Sequence, residues 1–430
     1  MKAKIKLTRV ILIFLLSGFI SITSYTQTVK VEGGLVEGTV ENGITVFKGI
    51  PFAAPPVGDL RWRPPQPVKS WNDVLKADRF CPACPQFNIP MLGFVNAGIS
   101  EDCLYLNIWK PNDTSEERLP VIVWIYGGGF FIGSTSQSVT SGEQLTKKGI
   151  IVVSIAYRLG ALGFLSHPDL TAESENNVSG NYGLLDQIAG LKWVQNNIEA
   201  FGGDPGNVTI FGESAGGQSV SMLAASPLAK GLFHRAICMS GGSFFPALLN
   251  KEPNSMQFLK GAEKILTLYP DSTDVITRKS MADLFRDLYF GWQTYTWATL
   301  QTKTGKSPVF VYYFDQLQPA SAVTLLLKSN GAYHGSDCTH AFDHLDQDPK
   351  IKYTDEDRRL SEIMVNYWTN FAKYGDPNGQ GLPEWPAYVN GKPTVMYLKS
   401  DLQLGSFPNI DKIKIIDEYY TWKRTTVDVE

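Results

Sequence analysis

Residues 208–217 read Val-Thr-Ile-Phe-Gly-Glu-Ser-Ala-Gly-Gly, and this segment is the strongest indication of the fold. Its β-branched and apolar start predicts a buried strand, and the pattern of residues 218–225 predicts a helix directly after it. G-x-S-x-G between a strand and a helix is typical of a sharp turn that exposes a serine nucleophile, here Ser214. The glycines are needed because side chains two residues either side of the serine would collide in that turn. An ordinary glycine-rich turn is the alternative.

Short β-branched runs alternate with helical patterns on both sides of this stretch. The strand candidates are residues 121–126, 150–157, 208–211, 235–240 and 309–314. Between the second and third of these, apolar residues recur at helical spacing until Gly202 and Gly203 end the pattern. A further amphipathic helix follows Asp355 and stops at Gly375. This alternation predicts an α/β fold with a mostly parallel central sheet flanked by helices.

The overall composition excludes several classes of protein. The chain has 430 residues, 43% of them hydrophobic, and its 39 Lys and Arg residues nearly balance 42 Asp and Glu. This balance excludes a disordered chain, a collagen-like repeat and a nucleic-acid coat. A chain of this length can bury one large core, and no Ser/Gly/Pro-rich linker divides it. We therefore expect one large domain and no nucleic-acid partner.

The first residues are typical of an export signal. A group of cations opens the chain: Lys2, Lys4, Lys6 and Arg9. The apolar run at 10–22 that follows is shorter than the ~20 residues needed to span a bilayer. The pattern predicts a signal peptide over residues 1–25, a folded domain over residues 26–430, no integral membrane segment after cleavage, and a secreted or periplasmic protein. A buried N-terminal strand or helix is the alternative.

A run of three glycines follows the predicted strand at 121–126. Backbone N–H groups of such a run can approach a ligand closely because no side chain intervenes. The N–H groups of Gly128 and Gly129, together with that of Ala215, can hold the oxyanion of a tetrahedral intermediate. The run does not fit a phosphate-binding G-x-G-x-x-G, because Ile132 stands at the third glycine position.

His334 is the preferred candidate for the base that a serine hydroxyl needs at neutral pH. It lies in the segment 331–337, Gly-Ala-Tyr-His-Gly-Ser-Asp, whose glycines favour a tight, accessible loop. His334 also clusters in sequence with Cys338, His340 and His344, which is the alternative of a metal site. The cluster has neither a helical H-x-x-x-H pair nor a zinc-ribbon spacing, so we expect no metal.

Further motifs run along nearly the whole chain after the predicted signal. They are residues 47–53 (FKGIPFA), 60–62 (LRW), 101–107 (EDCLYLN), 126–130 (YGGGF), 180–184 (GNYGL), 201–205 (FGGDP) and 368–372 (WTNFA). With this combination the chain resembles the type-B carboxylesterase and cholinesterase family of α/β-hydrolases. The resemblance implies the α/β-hydrolase fold, a small-molecule ester as substrate, and no metal or organic cofactor.

The resemblance also implies roles for individual residues. Ser214 would be the acylated nucleophile and His334 the general base. Gly128, Gly129 and Ala215 would be the oxyanion donors. The roles agree with those that the turn, the glycine run and the histidine loop suggest on their own.

The cysteines are too few and too scattered for a disulfide scaffold, although export would permit one bridge. Cys81 and Cys84 form a lone C-x-x-C, which is a weak signal for zinc or redox chemistry. Cys84 and Cys103 resemble the pair that the family bridges across an early loop. Two free thiols are the alternative.

The chain departs from the family pattern at the acid of the triad. The family places its acid on a strand-to-turn segment between the serine and the histidine, and no such segment is recognisable here. Sequence after residues 250–257 is similar to what the family places beyond its acid, which indicates an internal deletion. None of the remaining carboxylates has the required setting: Glu252, Glu263, Asp271, Asp274, Asp283, Asp287 and Asp315.

Two of these acids, and two acids that lie next to the predicted site residues, have simpler interpretations. Asp283 and Asp287 are four residues apart on a predicted helix and are expected to form a polar helical face. Glu213, beside the serine, and Asp337, after the histidine, are expected to belong to a buried polar network around the site rather than to the triad. The identity of the acid stays open.

Two functions follow from this reading. The first is an exported serine carboxylesterase, for which reduced activity is expected because no triad acid is identifiable. Loss of the acid lowers turnover of a serine protease ~10⁴-fold. The second is a catalytically impaired α/β-hydrolase relative that acts as a binding protein, or a truncated gene product. Natural substrate and oligomeric state are not given by the sequence.

Overall fold

The computed structural model describes residues 27–87, 97–112, 118–244, 263–264, 267–270, 272–329 and 331–427. The predicted signal peptide at 1–25 lies outside these residues. Within the described ranges, no helix combines the length and the apolar character that crossing a bilayer requires.

The strands and helices alternate along the chain as the sequence predicts for an α/β protein. The strands are β1 Gln27–Val31, β2 Gly34–Glu41, β3 Ile44–Pro51, β4 Val74–Lys76, β5 Tyr105–Pro111, β6 Leu119–Ile125, β7 Ile151–Ile155, β8 Gly203–Glu213, β9 Arg235–Met239, β10 Tyr312–Phe314, β11 Thr394–Leu398 and β12 Gln403–Ser406. The helices are α1 Glu143–Thr146, α2 Gly160–Phe164, α3 Pro168–Glu173, α4 Tyr182–Asn197, α5 Ala215–Ala225, α6 Asp274–Arg286, α7 Trp292–Thr304, α8 Ala322–Leu327, α9 Asp337–Ala341, α10 Asp355–Tyr374 and α11 Ile410–Val427.

The central sheet has the strand order β1-β2-β3-β5-β7-β6-β8-β9, with β4 beside β2. Strands β7, β6, β8 and β9 pair in parallel, whereas β1, β2, β3, β5 and β7 pair with one another antiparallel. The sheet is therefore mixed, and its parallel half leads to Ser214. Strands β2 and β3 need no crossover helix because Asn42 and Gly43, with φ of 50° and 82°, form a two-residue hairpin turn.

The predicted strand-helix-strand crossover is present as β7, α4 and β8. All of β7 and most of β6 are buried, which explains their continuous apolar sequence. After α4, a short 3₁₀ turn ends at Gly202, whose φ of 85° is readily accessible only to glycine. This crossover carries the chain across the sheet and back into β8, the strand that ends at the serine.

The predicted amphipathic helix is α10, which covers the central sheet. It begins at a capping box, in which Thr354 and Asp357 cap each other's backbone N–H groups, and it ends at Gly375 with φ of 77°. Met364 and Trp368 on its apolar face are buried in the main core. The helix therefore packs against β6 and β8 of the central sheet.

The predicted strand at 309–314 forms only over Tyr312–Phe314, as β10. It pairs in parallel with β11 in a separate three-stranded sheet, and β9 is the last strand of the central sheet among the described residues. Sequence alone placed this run among the strands but did not give its sheet. The chain between β9 and α6 includes residues 245–262, which lie outside the described residues.

Candidate active site

Ser214 occupies the tight turn between β8 and α5. Its backbone has φ 55° and ψ −120°, a strained combination for a residue with a side chain. A Cβ on Gly216 would lie 2.0 Å from the carbonyl oxygen of Ile125, and one on Gly212 would lie 2.4 Å from the carbonyl carbon of Gly216. The neighbouring glycines are therefore required by the closeness of the backbone segments, as the sequence predicts.

His334 lies in the loop before α9 and meets the serine. Its Nε2 is 2.8 Å from the Oγ of Ser214. Burial lowers the pKa of His334 below its ordinary value of 6.5, so the ring is neutral at pH 7. A neutral imidazole whose Nε2 faces a hydroxyl can accept the hydroxyl proton. The turn and the histidine loop, 120 residues apart, are thus brought together.

Glu213 lies on the same side of the imidazole as Ser214. Its Oε1 is 3.3 Å from Nε2 of His334, but the two atoms are not aligned for a hydrogen bond. Burial, with a smaller contribution from Asp337, raises the pKa of Glu213 to about 8. Asp337 is buried as well and accepts a hydrogen bond of 3.0 Å from the hydroxyl of Tyr312. Both acids thus lie in buried polar surroundings beside the site.

The raised pKa of Glu213 predicts a pH-dependent stability. The folded state holds the Glu213 proton up to about pH 8, whereas the unfolded chain releases it near 4.5. The folded state therefore binds more protons across this window, and the free energy of unfolding falls as pH rises through it. Glu213→Gln should abolish this loss of stability, which thermal unfolding across the window would measure.

A matched control separates this contribution from that of Asp337. Burial also raises the pKa of Asp337, to about 6, so Asp337→Asn should flatten only the lower part of the same curve. If Glu213→Gln leaves the slope between about pH 6 and pH 8 unchanged, Glu213 is ionised in the folded protein and this account of its surroundings is wrong.

No further carboxylate contacts the imidazole among the described residues. Asp283 forms ion pairs with Lys279 and Arg286 on its own helix, which agrees with a polar helical face. For Asp287 that expectation is wrong, because its side chain is buried and accepts hydrogen bonds from Tyr269 and Asn409.

The other candidate acids divide between residues that the structure describes and residues that it does not. Glu263, Asp274 and Asp315 are described, and none of them contacts His334. Glu252 and Asp271 lie outside the described residues. The ring nitrogen Nδ1 of His334 therefore faces no carboxylate in the described part of the chain.

The glycine run lies against the serine turn. A Cβ on Gly127 would be 2.6 Å from the carbonyl oxygen of Glu213 and 3.1 Å from the Cβ of Ser214. Gly128 and Gly129 have φ of 101° and 62°. The carbonyl oxygen of Gly128 accepts the N–H groups that follow in the loop, at Phe131 and Ile132.

The three proposed oxyanion donors keep their N–H groups available. In the described ranges, the backbone N–H groups of Gly128, Gly129 and Ala215 donate no hydrogen bond to another backbone group. Ala215 is the first residue of α5, whose N–H has no partner within the helix. Bare amides beside a serine hydroxyl can stabilise a developing oxyanion, and each such donor is typically worth ~3 kcal/mol.

Cys84 and Cys103 form a disulfide, with a Cα–Cα distance of 5.2 Å. The bridge confirms the pairing that the family resemblance implies and leaves Cys81 a free thiol, so the C-x-x-C is not a redox pair. His344 donates its Nε2–H to the carbonyl oxygen of Ser141, at 2.9 Å. Within the described ranges, no three His, Cys, Asp or Glu side chains converge as metal ligands.

One aromatic contact at the site was not predicted from the sequence. The ring of Phe290 stacks on the imidazole of His334, with centroids 4.5 Å apart and planes inclined by 30°. Phe290 belongs to a π-helical turn, Asp287–Gly291, between α6 and α7. No signal in the sequence marks a π turn, so its contact with a histidine far along the chain could not be inferred.

Comparison with known proteins gives one family. The Carboxylesterase family model matches residues 25–276 and 254–415. Para-nitrobenzyl esterase of Bacillus subtilis (strain 168) is 33% identical over an alignment that covers 90% of this chain and 97% of that protein. The solved structure of a thermophylic PNB esterase superposes with a TM-score of 0.79 at 31% identity, over 91% of this chain and 100% of that one.

A second relative is more similar over a shorter stretch. Fumonisin B1 esterase of Sphingopyxis macrogoltabida is 51% identical over 228 residues. That alignment spans 53% of this chain and 42% of the relative's length.

Proposed function

Because this chain belongs to the carboxylesterase family, we propose that it is an exported serine carboxylesterase that hydrolyses small-molecule esters through an acyl-enzyme on Ser214. The observation that carries the proposal is the 2.8 Å contact between the Ser214 Oγ and His334 Nε2, made at a strained turn beside free backbone amides. The named relatives, a para-nitrobenzyl esterase and a fumonisin B1 esterase, support ester hydrolysis as the reaction.

The chemistry uses groups of the chain alone and needs no metal or organic cofactor. The Ser214 oxygen attacks the ester carbonyl while His334 Nε2 takes the hydroxyl proton. The N–H groups of Gly128, Gly129 and Ala215 stabilise the oxyanion of the tetrahedral intermediate. His334 then returns the proton to the leaving alcohol, and a water molecule, activated by the same imidazole, releases the carboxylic acid and restores Ser214.

Export is the part of the proposal that rests on the first residues and the cysteines. We propose that residues 1–25 are a signal peptide, that residues 26–430 form the esterase domain, and that the protein is secreted or periplasmic. The Cys84–Cys103 disulfide supports this location, because disulfides persist mainly in oxidising compartments. Neither a nucleic-acid nor an integral-membrane partner is proposed.

The second candidate, an impaired relative that binds without turnover, is favoured by one observation: Nδ1 of His334 faces no carboxylate among the described residues. The comparisons support an internal deletion as the reason why the family's acid is not recognisable. The alignment to para-nitrobenzyl esterase runs over 495 positions, more than the 430 residues of the chain, so many positions have no counterpart here. The family model also matches in two pieces that meet at 254–276.

Hydrolysis of a short p-nitrophenyl ester by purified protein distinguishes the two candidates. We expect turnover well below that of a complete triad, by up to ~10⁴-fold, because the oxyanion amides and the imidazole remain while no carboxylate of the described residues contacts Nδ1 of the ring. A parent protein that hydrolyses the ester no faster than Ser214→Ala would favour the impaired relative.

Replacing the candidate acids singly tests whether one of them substitutes for the triad acid. Because Asp274, Asp283 and Asp315 do not contact the imidazole, we expect their alanine variants to keep kcat within about 2-fold of the parent. A drop of ~10²-fold or more in any of the three would contradict the described geometry. The same measurement on Glu252→Ala and Asp271→Ala extends the test to the acids outside the described residues.

A further inference from the structure

The imidazole of His334 is held by unusual contacts for a serine hydrolase base. Nε2 contacts Ser214, and the side chain is 42% exposed. Glu213 is the one acid that approaches the ring among the described residues, and it does so at Nε2 as well. Nothing charged in that part of the chain therefore fixes the rotation of the ring from the Nδ1 side. An imidazole free to rotate would leave the serine for much of the time.

The face of the ring has a partner instead. Phe290 stacks on it at a centroid distance of 4.5 Å, within the range in which aromatic pairs attract. A stacked ring of this kind restricts the rotation of the imidazole, and it leaves both ring nitrogens free to exchange protons. It also excludes water from that face of the ring, while the side chain as a whole stays partly exposed.

Phe290 reaches the histidine because the helix around it is irregular. Residues Asp287–Gly291 form a π turn, a feature that is rare and that occurs frequently at functional sites. The turn is fixed at its first residue, where buried Asp287 accepts hydrogen bonds from the Tyr269 hydroxyl at 2.9 Å and from Asn409 at 3.1 Å. These contacts hold Phe290 at a defined place rather than on a fraying helix end.

Helix α7, which follows the π turn, is hydrogen-bonded to the segment after β9. Gln293 is completely buried, accepts the N–H of Phe244 at 3.1 Å and donates to the carbonyl oxygen of Tyr289 at 2.6 Å. Trp292 donates to Asp417 of α11 at 2.9 Å. The π turn is therefore held from both sides, by the segment after β9 and by the C-terminal helix.

We propose that Phe290 is a positioning residue of His334: its ring, presented by the π turn, holds the imidazole in the orientation that faces Ser214. This role rests on the proposed esterase function. It predicts that a flat aromatic ring is needed at this position, and that filling the volume with an aliphatic side chain is not sufficient.

The experiment compares Phe290→Ala, Phe290→Leu and Phe290→Tyr with the parent protein in two measurements. The first is kcat and KM on p-nitrophenyl acetate between about pH 5 and pH 9, which reports the pKa of the free base in kcat/KM. The second is an NMR titration of the His334 ring in a Ser214→Ala background, which requires no turnover. Glu213 is the acid that faces this ring, so both measurements are repeated with Glu213→Gln.

We expect Phe290→Ala and Phe290→Leu to lower kcat roughly 2- to 12-fold with little change in KM, the factor that corresponds to loss of one aromatic stack. In both measurements Phe290→Ala should also raise the pKa of His334 toward its ordinary value of 6.5, because one face of the ring becomes hydrated. Phe290→Tyr should retain the parent kcat and the parent pKa, since the ring face is kept. The same pattern should persist with Glu213→Gln.

Leu288→Ala is the matched control, because Leu288 lies on the same π turn but packs against a separate hydrophobic cluster that includes Trp292 and Ile413. It should leave the His334 pKa unchanged. An unshifted pKa in Phe290→Ala, an equal shift in Leu288→Ala, or a loss confined to KM would each overturn the proposed role. A parent protein without ester hydrolysis would refute the esterase function itself, whereas hydrolysis with an unshifted pKa refutes the role of Phe290 alone.

Discussion

Replacing Ser214 by alanine should abolish ester hydrolysis. A serine hydrolase that loses its nucleophile loses ~10⁶-fold in kcat, and the measurable loss here is smaller to the extent that the parent protein itself turns over slowly. The reason is geometric, because Ser214 Oγ is the hydroxyl that faces the His334 Nε2, at 2.8 Å. The variant should keep its fold, because Ser214→Ala removes only the hydroxyl group and leaves the backbone conformation of the turn unchanged. The measurement is the steady-state rate on a p-nitrophenyl ester.

Ser221→Ala is the matched control for this substitution. Ser221 lies on α5, the helix that begins after the nucleophile, and its hydroxyl pairs with that of Ser243 at 2.8 Å. Loss of one such neutral hydrogen bond is worth ~1 kcal/mol of stability and touches no reacting group. Residual activity in Ser214→Ala equal to that of Ser221→Ala would mean that another residue performs the reaction.

The second large effect is expected at Gly216. A Cβ there would lie 2.0 Å from the carbonyl oxygen of Ile125, a backbone atom of β6 that cannot rotate away. Gly216→Ala must therefore displace either α5 or the sheet, and a shift of about 1 Å at the nucleophile costs ~10²-fold in rate. Strain of this size also lowers the free energy of unfolding by ~4 kcal/mol or more. Rates and thermal unfolding of the variant measure both effects.

Gly206→Ala is the control for the added methyl group. At Gly206 the nearest atom to a new Cβ is a side-chain oxygen of Asp204, at 3.1 Å, and the residue lies at an exposed position of β8. We expect this variant to retain parent activity and stability. If Gly216→Ala were equally harmless, the close approach of Gly216 to the carbonyl oxygen of Ile125 in the serine turn would be contradicted.

Much of the fold could be predicted because its parallel strands are continuous apolar runs. Strands β6, β7 and β9 lie within one or two residues of the runs at 121–126, 150–157 and 235–240. The antiparallel strands β1 to β3 could not be predicted in the same way, because their polar and apolar residues alternate and a single run does not stand out. The sheet was therefore expected to be mostly parallel, whereas it is mixed.

The site was predictable where local sequence carries the geometry. The glycines around Ser214 mark a turn that only glycines permit, and the glycines beside His334 mark an open loop. Contacts between segments that are distant in sequence leave no such local pattern. No sequence pattern indicates that Asp287 is buried, that Phe290 stacks on the imidazole, or which acid, if any, faces Nδ1, because each depends on tertiary packing.

The most direct test of the account is covalent labelling of the folded protein with a fluorophosphonate, followed by mass spectrometry of its peptides. The reagent reports an activated serine even where turnover is slow, so the test does not require that the triad acid be identified. We expect one adduct, on Ser214, that is lost in Ser214→Ala and forms more slowly in His334→Ala. An unlabelled Ser214 in folded protein, or an adduct on another residue, would contradict it.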